Sequence, residues 1–230
     1  MTATMAKSVQ IMVDSEQIEL GDARIVEPQR VAASGSGMVA TAHFSATEAG
    51  RQVLQQGGNA IDAAVAAAIA LGVCEPAASG LGGQTMMLVH LAEPRRTFAL
   101  DGSSRAPNRT TPEFFAEKKT RLHGHTATTV PSTLAVCDYA RRNYGTKPLD
   151  ELLEPAIRLA QDGYPVSALQ NKLTRRELKK LKAGTAGPLF LKDGARARAI
   201  GSQFKQPILA ETLRRIANFG SEDFSRGQIA

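Results

Sequence analysis

Residues 57–66 read GGNAIDAAVA, and this stretch decides how the chain folds. The two glycines tolerate the left-handed backbone that commonly ends a helix, and Asn59 is a residue type that caps the helix after it. The helix predicted over residues 60–71 is apolar all round except at Asp62, which is typical of a buried helix. The sequence therefore predicts a helical core around this segment, and its many alanines allow neighbouring backbones to approach closely.

Elements on either side of this helix are also predicted from local patterns. Upstream, residues 45–48 (SATE) match a capping box, in which Ser45 accepts from the backbone and Glu48 reaches back. That helix is expected to end near residue 56. Downstream, the apolar runs 86–91 and 97–101 are joined by a turn, and they predict a β-hairpin.

The rest of the chain is expected to be mostly helical. Helically spaced apolar residues predict helices over residues 132–142, 148–162, 167–181 and 207–219. We interpret residues 1–36 as a polar leader and flexible joint, and residues 37–230 as one partial domain.

Length and composition exclude several classes of protein. The chain has 230 residues, of which 43% are hydrophobic and 22% charged, values that exclude wholesale disorder, collagen and coiled coil. Two cysteines exclude a disulfide scaffold. No apolar run approaches the ~20 residues that span a bilayer, and the first 30 residues contain no secretory signal. We therefore expect a cytoplasmic protein with no membrane partner.

Positive charge is concentrated in the second half of the chain. Residues 1–115 have a net charge of −3 and residues 116–230 one of +9, which together give +6. Six basic side chains fall between residues 172 and 182, opposed only by Glu177. A nucleic-acid site would use such a face for phosphates, but no aromatic residue is present there to stack on bases. A solvated face, or one that meets an acidic surface, is favoured, and we expect no nucleic-acid partner.

Two short motifs resemble cofactor or metal sites. Residues 80–83 (GLGG) look like a phosphate loop, but that loop needs a helix directly after its glycines, whereas a strand is predicted here. A tight turn is favoured. His123 and His125 could share a metal, yet no further ligands are evident nearby, so a solvated loop is favoured. The sequence thus predicts neither a cofactor nor a metal.

Residues 101–107 (DGSSRAP) form the most suggestive local segment for ligand binding. An aspartate ends a strand, small residues make a turn, and Arg105 precedes an Ala-Pro pair. An arginine at a rigid strand end can bind a carboxylate through two parallel hydrogen bonds. On local evidence alone, a structural arginine paired with a nearby aspartate or carbonyl is favoured over this ligand-binding interpretation.

Taken together, these segments resemble the large-subunit half of the γ-glutamyltranspeptidase (γ-glutamyltransferase) family, in the same order along residues 37–230. The most specific of them is the segment 56–66. The other stretches that carry the resemblance are residues 37–40, 46–50, 75–76, 79–83, 100–102, 105–107, 130–132, 144–145, 153–160 and 206–207.

The resemblance implies a fold class, a chemistry and a partner. Family members are N-terminal-nucleophile hydrolases, so the expected fold is α/β (α+β): the helix-rich, large-subunit portion of an αββα sandwich. A longer proenzyme cleaves itself, and the new N-terminal Thr of the small subunit is the nucleophile, with its own α-amino group as the base. The γ-glutamyl group of a small amide such as glutathione then passes to water or to an amino acid. We therefore expect a small-subunit partner, and no catalytic residue and no activity in this chain alone.

One position departs from the family pattern. Family members bind the substrate α-carboxylate with an Arg two residues after the strand-end aspartate, where this chain has Ser103. We place Ser103 and Arg105 in the substrate site, and two interpretations stay open: Arg105 binds the carboxylate from a shifted position, or the protein is a related amidohydrolase or acylase with a non-γ-glutamyl substrate. A non-catalytic binding module that uses the basic face is the alternative of another class.

Overall fold

The computed structural model describes residues 34–115 and 124–230, together with two short strands nearer the N-terminus. The chain divides into two compact units, residues 1–38 and 39–230. In the first unit, strand β1 (Gln10–Val13) pairs antiparallel with β2 (Glu16–Glu19). The predicted polar leader and joint, residues 1–36, includes this hairpin, and most of its other residues lie outside the described part of the chain.

Helices α1 (Phe44–Gln55) and α2 (Ala60–Cys74) form the expected pair on either side of the two glycines. Gly57 has a φ of 82°, which is the left-handed conformation predicted there. The predicted start of α1 is wrong, because its N-cap is His43, whose Nδ1 accepts from the Ser45 N–H at 3.2 Å. A neutral imidazole nitrogen can accept the same hydrogen bond as a capping oxygen. Because the cap is His43, Ser45 lies inside the helix.

Helix α2 begins at a capping box and is fastened there to a distant loop. The Asn59 side chain accepts from the N–H groups of Ile61 and Asp62, and the Asp62 carboxylate accepts from the Asn59 N–H at 2.9 Å. Asp62 is fully buried, and it also accepts from the N–H and hydroxyl of Thr146 and from the N–H of Lys147. The polar residues of the 57–66 segment therefore join residues that lie about 85 positions apart.

The core of the second unit is built around α2. Helix α1 packs closely on the alanines of α2 because Gly50 of α1 has no side chain. A Cβ there would lie 3.0 Å from the Ala63 carbonyl oxygen and 3.3 Å from the Ala67 Cβ. Three further helices complete this core, namely α3 (Thr133–Tyr144), α4 (Leu149–Asp162) and, further along the chain, α8 (Pro207–Phe219). The predicted helices in these three regions are confirmed to within two residues at each end.

A β-hairpin lies beside the helices, as predicted. Strand β3 (Thr85–Leu91) pairs antiparallel with β4 (Arg96–Gly102), so that Thr85 faces Gly102 and the two outer ends meet. One face of β3 packs inward through Val89, while Met86 and Leu88 on the other face are 67% and 76% exposed. The hairpin thus places the start of β3 and the end of β4 at one edge of the helical core.

Smaller elements fill the segment between α4 and α8 and the end of the chain. The helix predicted over residues 167–181 is interrupted, because the backbone of Glu177 leaves helical geometry (φ −96°, ψ 11°). The elements are β5 (Tyr164–Pro165), α5 (Ala168–Arg176), α6 (Leu178–Ala183), α7 (Gly187–Phe190), β6 (Leu191–Lys192), β7 (Arg196–Ala197), β8 (Gln203–Phe204) and α9 (Glu222–Arg226). Strand β5 pairs with β8, and β6 with β7. Among the described residues, no helix combines the length and the apolar character that a membrane crossing needs.

Candidate functional site at the end of the hairpin

The glycine-rich segment before β3 is a turn rather than a phosphate loop. The Gly83 N–H donates to the Gly80 carbonyl at 3.2 Å, and strand β3 follows two residues later. The Gly83 carbonyl in turn accepts from the N–H groups of Ser132 and Thr133, at 3.0 and 3.3 Å. The first N–H groups of α3 are therefore bonded to protein, and the turn fastens α3 to the hairpin.

Asp101 shapes the loop that leaves β4. Its Oδ1 accepts from both the N–H (2.9 Å) and the hydroxyl (2.6 Å) of Ser103. These hydrogen bonds hold the pKa of the Asp101 carboxyl below its usual value. The hydroxyl of Ser103, one of the two predicted substrate-binding residues, already donates a hydrogen bond to this carboxylate.

Gly102 is where β4 ends against α3. A Cβ at this position would clash with the Thr85 carbonyl oxygen and with the Val136 side chain, so only glycine fits. The Ser132 hydroxyl donates a hydrogen bond to the Gly102 carbonyl. Helix α3 therefore holds the end of β4, the backbone segment from which the candidate site continues.

Gln84 bridges the two strand ends, a contact that the sequence did not predict. Its side-chain oxygen accepts from the Ser104 N–H at 3.0 Å and from the Ser104 hydroxyl at 3.2 Å. The bridged residues are 20 positions apart, so no local pattern indicates the pair. The sequence does predict the hairpin itself. Because Thr85 pairs with Gly102 in that hairpin, the residues that flank this pair also come close together.

Arg105, the second predicted substrate-binding residue, is held through its backbone and has an exposed side chain. Its carbonyl accepts from the Val130 N–H at 2.8 Å in an isolated antiparallel bridge. Its side chain is exposed, and no residue of the described ranges forms an ion pair or hydrogen bond with its guanidinium. The nearby aspartate, Asp101, is bonded to Ser103 instead. Within residues 34–115 and 124–230 the five N–H donors of this guanidinium have no acceptor, an arrangement suited to a carboxylate.

The described residues give no support to the metal site considered for His123 and His125. His123 and the side chain of His125 lie outside them, and within them no three His, Cys, Asp or Glu side chains form a group that could hold a metal ion. Cys74 and Cys137 are buried, and burial raises the pKa of each thiol to about 12. Both cysteines are protonated at neutral pH and behave as small apolar side chains.

The six basic side chains between residues 172 and 182 are exposed, and they are divided between α5 and α6. Glu177, at the break between the helices, pairs with Arg176 (3.0 Å) and Lys180 (2.7 Å), and all three side chains are at least one-third exposed. Exposed pairs of this kind contribute little to stability. The break also means that the basic residues do not share one continuous helical face.

Comparisons with known proteins agree with this architecture. A family model described as gamma-glutamyltranspeptidase matches residues 46–230. The chain belongs to the gamma-glutamyltranspeptidase family. A glutathione hydrolase proenzyme of Bacillus subtilis (strain 168) is 36% identical over 211 residues, which cover 89% of this chain and 36% of that protein.

Solved structures give the same assignment. The γ-glutamyltranspeptidase of Helicobacter pylori superposes with a TM-score of 0.83 at 36% identity, covering 87% of this chain and 59% of that one. A cephalosporin acylase from Bacillus halodurans superposes with a TM-score of 0.70 at 33% identity, covering 80% of this chain and 36% of that one. The predicted fold class is confirmed: this gamma-glutamyltranspeptidase-family chain has the helix-rich α/β fold of these N-terminal-nucleophile hydrolases and corresponds to their large-subunit region.

Proposed function

We propose that this chain is the large-subunit part of a γ-glutamyltransferase or hydrolase that acts on glutathione-like γ-glutamyl amides. The observation that carries the proposal is the match of residues 46–230 to the family model. A structural superposition over 87% of the chain supports it. The chain spans about a third of the length of the curated relative it matches, so the activity is proposed for the whole protein and not for this chain alone.

In the proposed reaction, the nucleophile is an N-terminal Thr of a small subunit cut from the same proenzyme. The Thr hydroxyl oxygen attacks the amide carbonyl while the α-amino group takes the hydroxyl proton, since an amine with a pKa near 8 can accept a proton at neutral pH. That proton passes to the leaving amine as the amide bond breaks. Water or an amino acid then attacks the acyl-enzyme ester and frees the Thr.

This chain contributes one wall of the substrate site, at Ser103–Arg105. Arg105 binds the substrate carboxylate, because its guanidinium is unbonded among the described residues while its backbone is held by Val130. Ser103 belongs to the same loop, and its hydrogen bond to Asp101 orients its hydroxyl. The site needs no cofactor or metal.

The test uses the complete gene product and a γ-glutamyl anilide. We expect self-cleavage followed by release of the aniline, and a KM at least tenfold higher for Arg105→Ala, since truncating one partner of a charge pair costs a factor of about ten or more. Arg109→Ala, which removes another exposed arginine of the same loop, is the matched control. Full activity of Arg105→Ala would remove Arg105 from the site, and failure to hydrolyse any γ-glutamyl amide would refute the proposed substrate class.

A second candidate function is that of an amidohydrolase or acylase of the same fold with a non-γ-glutamyl substrate. Ser103 favours it, because the family's usual carboxylate-binding Arg is absent at that position, and so does the 33% identity to a cephalosporin acylase. Donor profiling separates the two. The second candidate fails if γ-glutamyl donors have the highest kcat/KM, and it replaces the first if an N-acyl amide without the α-amino group is preferred.

Location and partners other than the small subunit stay predictions. The expected cytoplasmic location can be tested by fractionating the source cells, where recovery outside the cytoplasm would contradict it. The expected absence of nucleic-acid binding would be contradicted by salt-sensitive retention of the chain on DNA or RNA.

A further inference from the structure

We propose that Gln84 is a positioning residue that sets the affinity of the Arg105 site for the substrate carboxylate. The inference rests on the proposed function and goes one step beyond it, from the arginine that binds the substrate to the residue that holds that arginine in place. Gln84 does not touch the substrate in this scheme and acts through Ser104.

The inference depends on the hydrogen-bonded bridge between Gln84 and Ser104. Gln84 is the last residue before β3, and Ser104 follows the end of β4, so the bridge closes the open end of the hairpin. One amide oxygen accepts two hydrogen bonds from Ser104, one from its N–H and one from its hydroxyl. A carbonyl oxygen has two lone pairs, so this contact uses its full accepting capacity.

Hydrogen bonds hold the loop of Arg105 on both sides, and these bonds are its anchors. On one side, the Ser103 turn is closed by Asp101, and on the other side the Arg105 carbonyl is bonded to Val130. Between these two anchors, the Ser104 N–H is bonded to Gln84 alone among the described residues. Removing the Gln84 side chain would therefore release the Ser103–Ser104 peptide unit and the Ser104 side chain, on the residue directly before Arg105.

Loss of the bridge is expected to weaken binding of the substrate carboxylate. A carboxylate bound by two parallel hydrogen bonds is sensitive to the direction of the guanidinium plane, and a misplacement of about 1 Å can cost up to two orders of magnitude in rate or affinity. The chemistry of amide cleavage belongs to the Thr nucleophile, so the loss is expected in KM rather than in kcat. It should also depend on whether the substrate carries a carboxylate.

The experiment compares two donors on the complete, self-processed gene product: a γ-glutamyl anilide and its α-methyl ester, which lacks the carboxylate charge. For the anilide, Gln84→Ala is expected to raise KM about tenfold with kcat within a factor of two. For the methyl ester, the same variant is expected to leave KM unchanged. Gln161→Ala, which removes another exposed glutamine that accepts a hydrogen bond, from Arg214 on α8, is the matched control.

A second variant tests the route through Ser104. Ser104→Ala removes only the hydroxyl bond and keeps the N–H bond, so its effect on the anilide KM should be smaller, about threefold. In the double variant, the loss should equal that of Gln84→Ala alone, because the hydroxyl then has no acceptor to lose.

The outcomes separate this inference from the function it rests on. An unprocessed or inactive wild-type protein overturns the proposed function and this inference with it. A wild type that prefers the carboxylate donor, with a Gln84→Ala variant of unchanged KM, overturns only the role of Gln84. Equal losses with both donors, or additive losses in the double variant, also overturn it, because they indicate a general structural defect.

Discussion

Asp62 is a fully buried carboxylate that fastens two parts of the helical core, and replacing it with alanine should destabilise the fold severely. Its fully buried carboxylate accepts from three backbone N–H groups, those of Asn59, Thr146 and Lys147, and from the Thr146 hydroxyl. The alanine variant would remove the acceptor for all four donors at once. It would also remove the hydrogen bonds from Asp62 to Thr146 and Lys147, and leave the Asn59 side chain bonded to the Tyr144 carbonyl at the end of α3.

The size of the effect follows from these bonds. A buried donor left without a partner costs about 1–3 kcal/mol. Thr146 lies at the surface, so water can reach some of the freed donors, and we expect a total loss of about 3–5 kcal/mol for Asp62→Ala. Asp62→Asn keeps the shape and one accepting oxygen, and it should lose about 1.5–3 kcal/mol, the contribution of the charge-assisted bonds. Losses of this size are a large part of a typical stability of about 5–15 kcal/mol.

Urea unfolding followed by far-UV circular dichroism measures the loss. With a slope of about 2 kcal/mol per M, Asp62→Ala should lower the midpoint by about 2 M. Asp162→Asn, an exposed aspartate near the end of α4, is the control and should stay within about 0.5 kcal/mol of the wild type. A midpoint for Asp62→Ala as close to the wild type as that of the control would refute the reasoning.

The pH dependence of Asp62 has a definite sign. Burial raises the pKa of its carboxyl, but the hydrogen bonds from Thr146, Asn59 and Lys147 outweigh burial and leave the pKa below its usual value. A lowered pKa contributes stability that is present above the unfolded-state pKa, about 3.9, and is lost as the pH falls through the folded-state pKa. Asp62→Asn should therefore lose less stability than the wild type between pH 5 and pH 2.

Three further predictions concern other residues of the second unit. Gly145→Ala should cost about 1–3 kcal/mol in a melting experiment, because its Cβ would lie 2.5 Å from Asp62 Oδ1, whereas Gly82→Ala, with open space around it, should be neutral. Burial lowers the pKa of His43, so its capping contribution is present above pH 6.5 and is lost as the pH falls through the folded-state pKa; the melting temperature should fall on acidification, and less so in His43→Asn. Asp138→Ala should speed proteolysis of α9, since the Asp138 carboxylate bonds to the Ser221 hydroxyl next to that helix; an unchanged cleavage rate would contradict this.

The sequence was most informative where structure depends on near neighbours. The Gly57 turn, the Asn59 cap and the strand after the 80–83 turn were all predicted, because each depends on residues within a few positions. The apolar character of α2 likewise predicted its burial. These local signals place the main elements and, through the hairpin, the strand-end segment.

Local sequence patterns do not predict the structure where a side chain has more than one possible partner. The predicted capping box at Ser45 did not form, since His43 caps the helix and Glu48 instead bonds to Arg51 and Gln52. Likewise, nothing in the helical spacing indicated the break at residue 177. Contacts between distant positions were also out of reach, because periodicity carries no information about which distant residues meet.

The central claim is that this chain is part of the large subunit of a self-processing N-terminal-nucleophile amidohydrolase. Mass spectrometry and N-terminal sequencing of the purified, complete gene product test it most directly. The account predicts two chains, of which the larger contains residues 46–230 and the smaller begins with Thr. A single intact chain, or a smaller chain that begins with another residue, would contradict it.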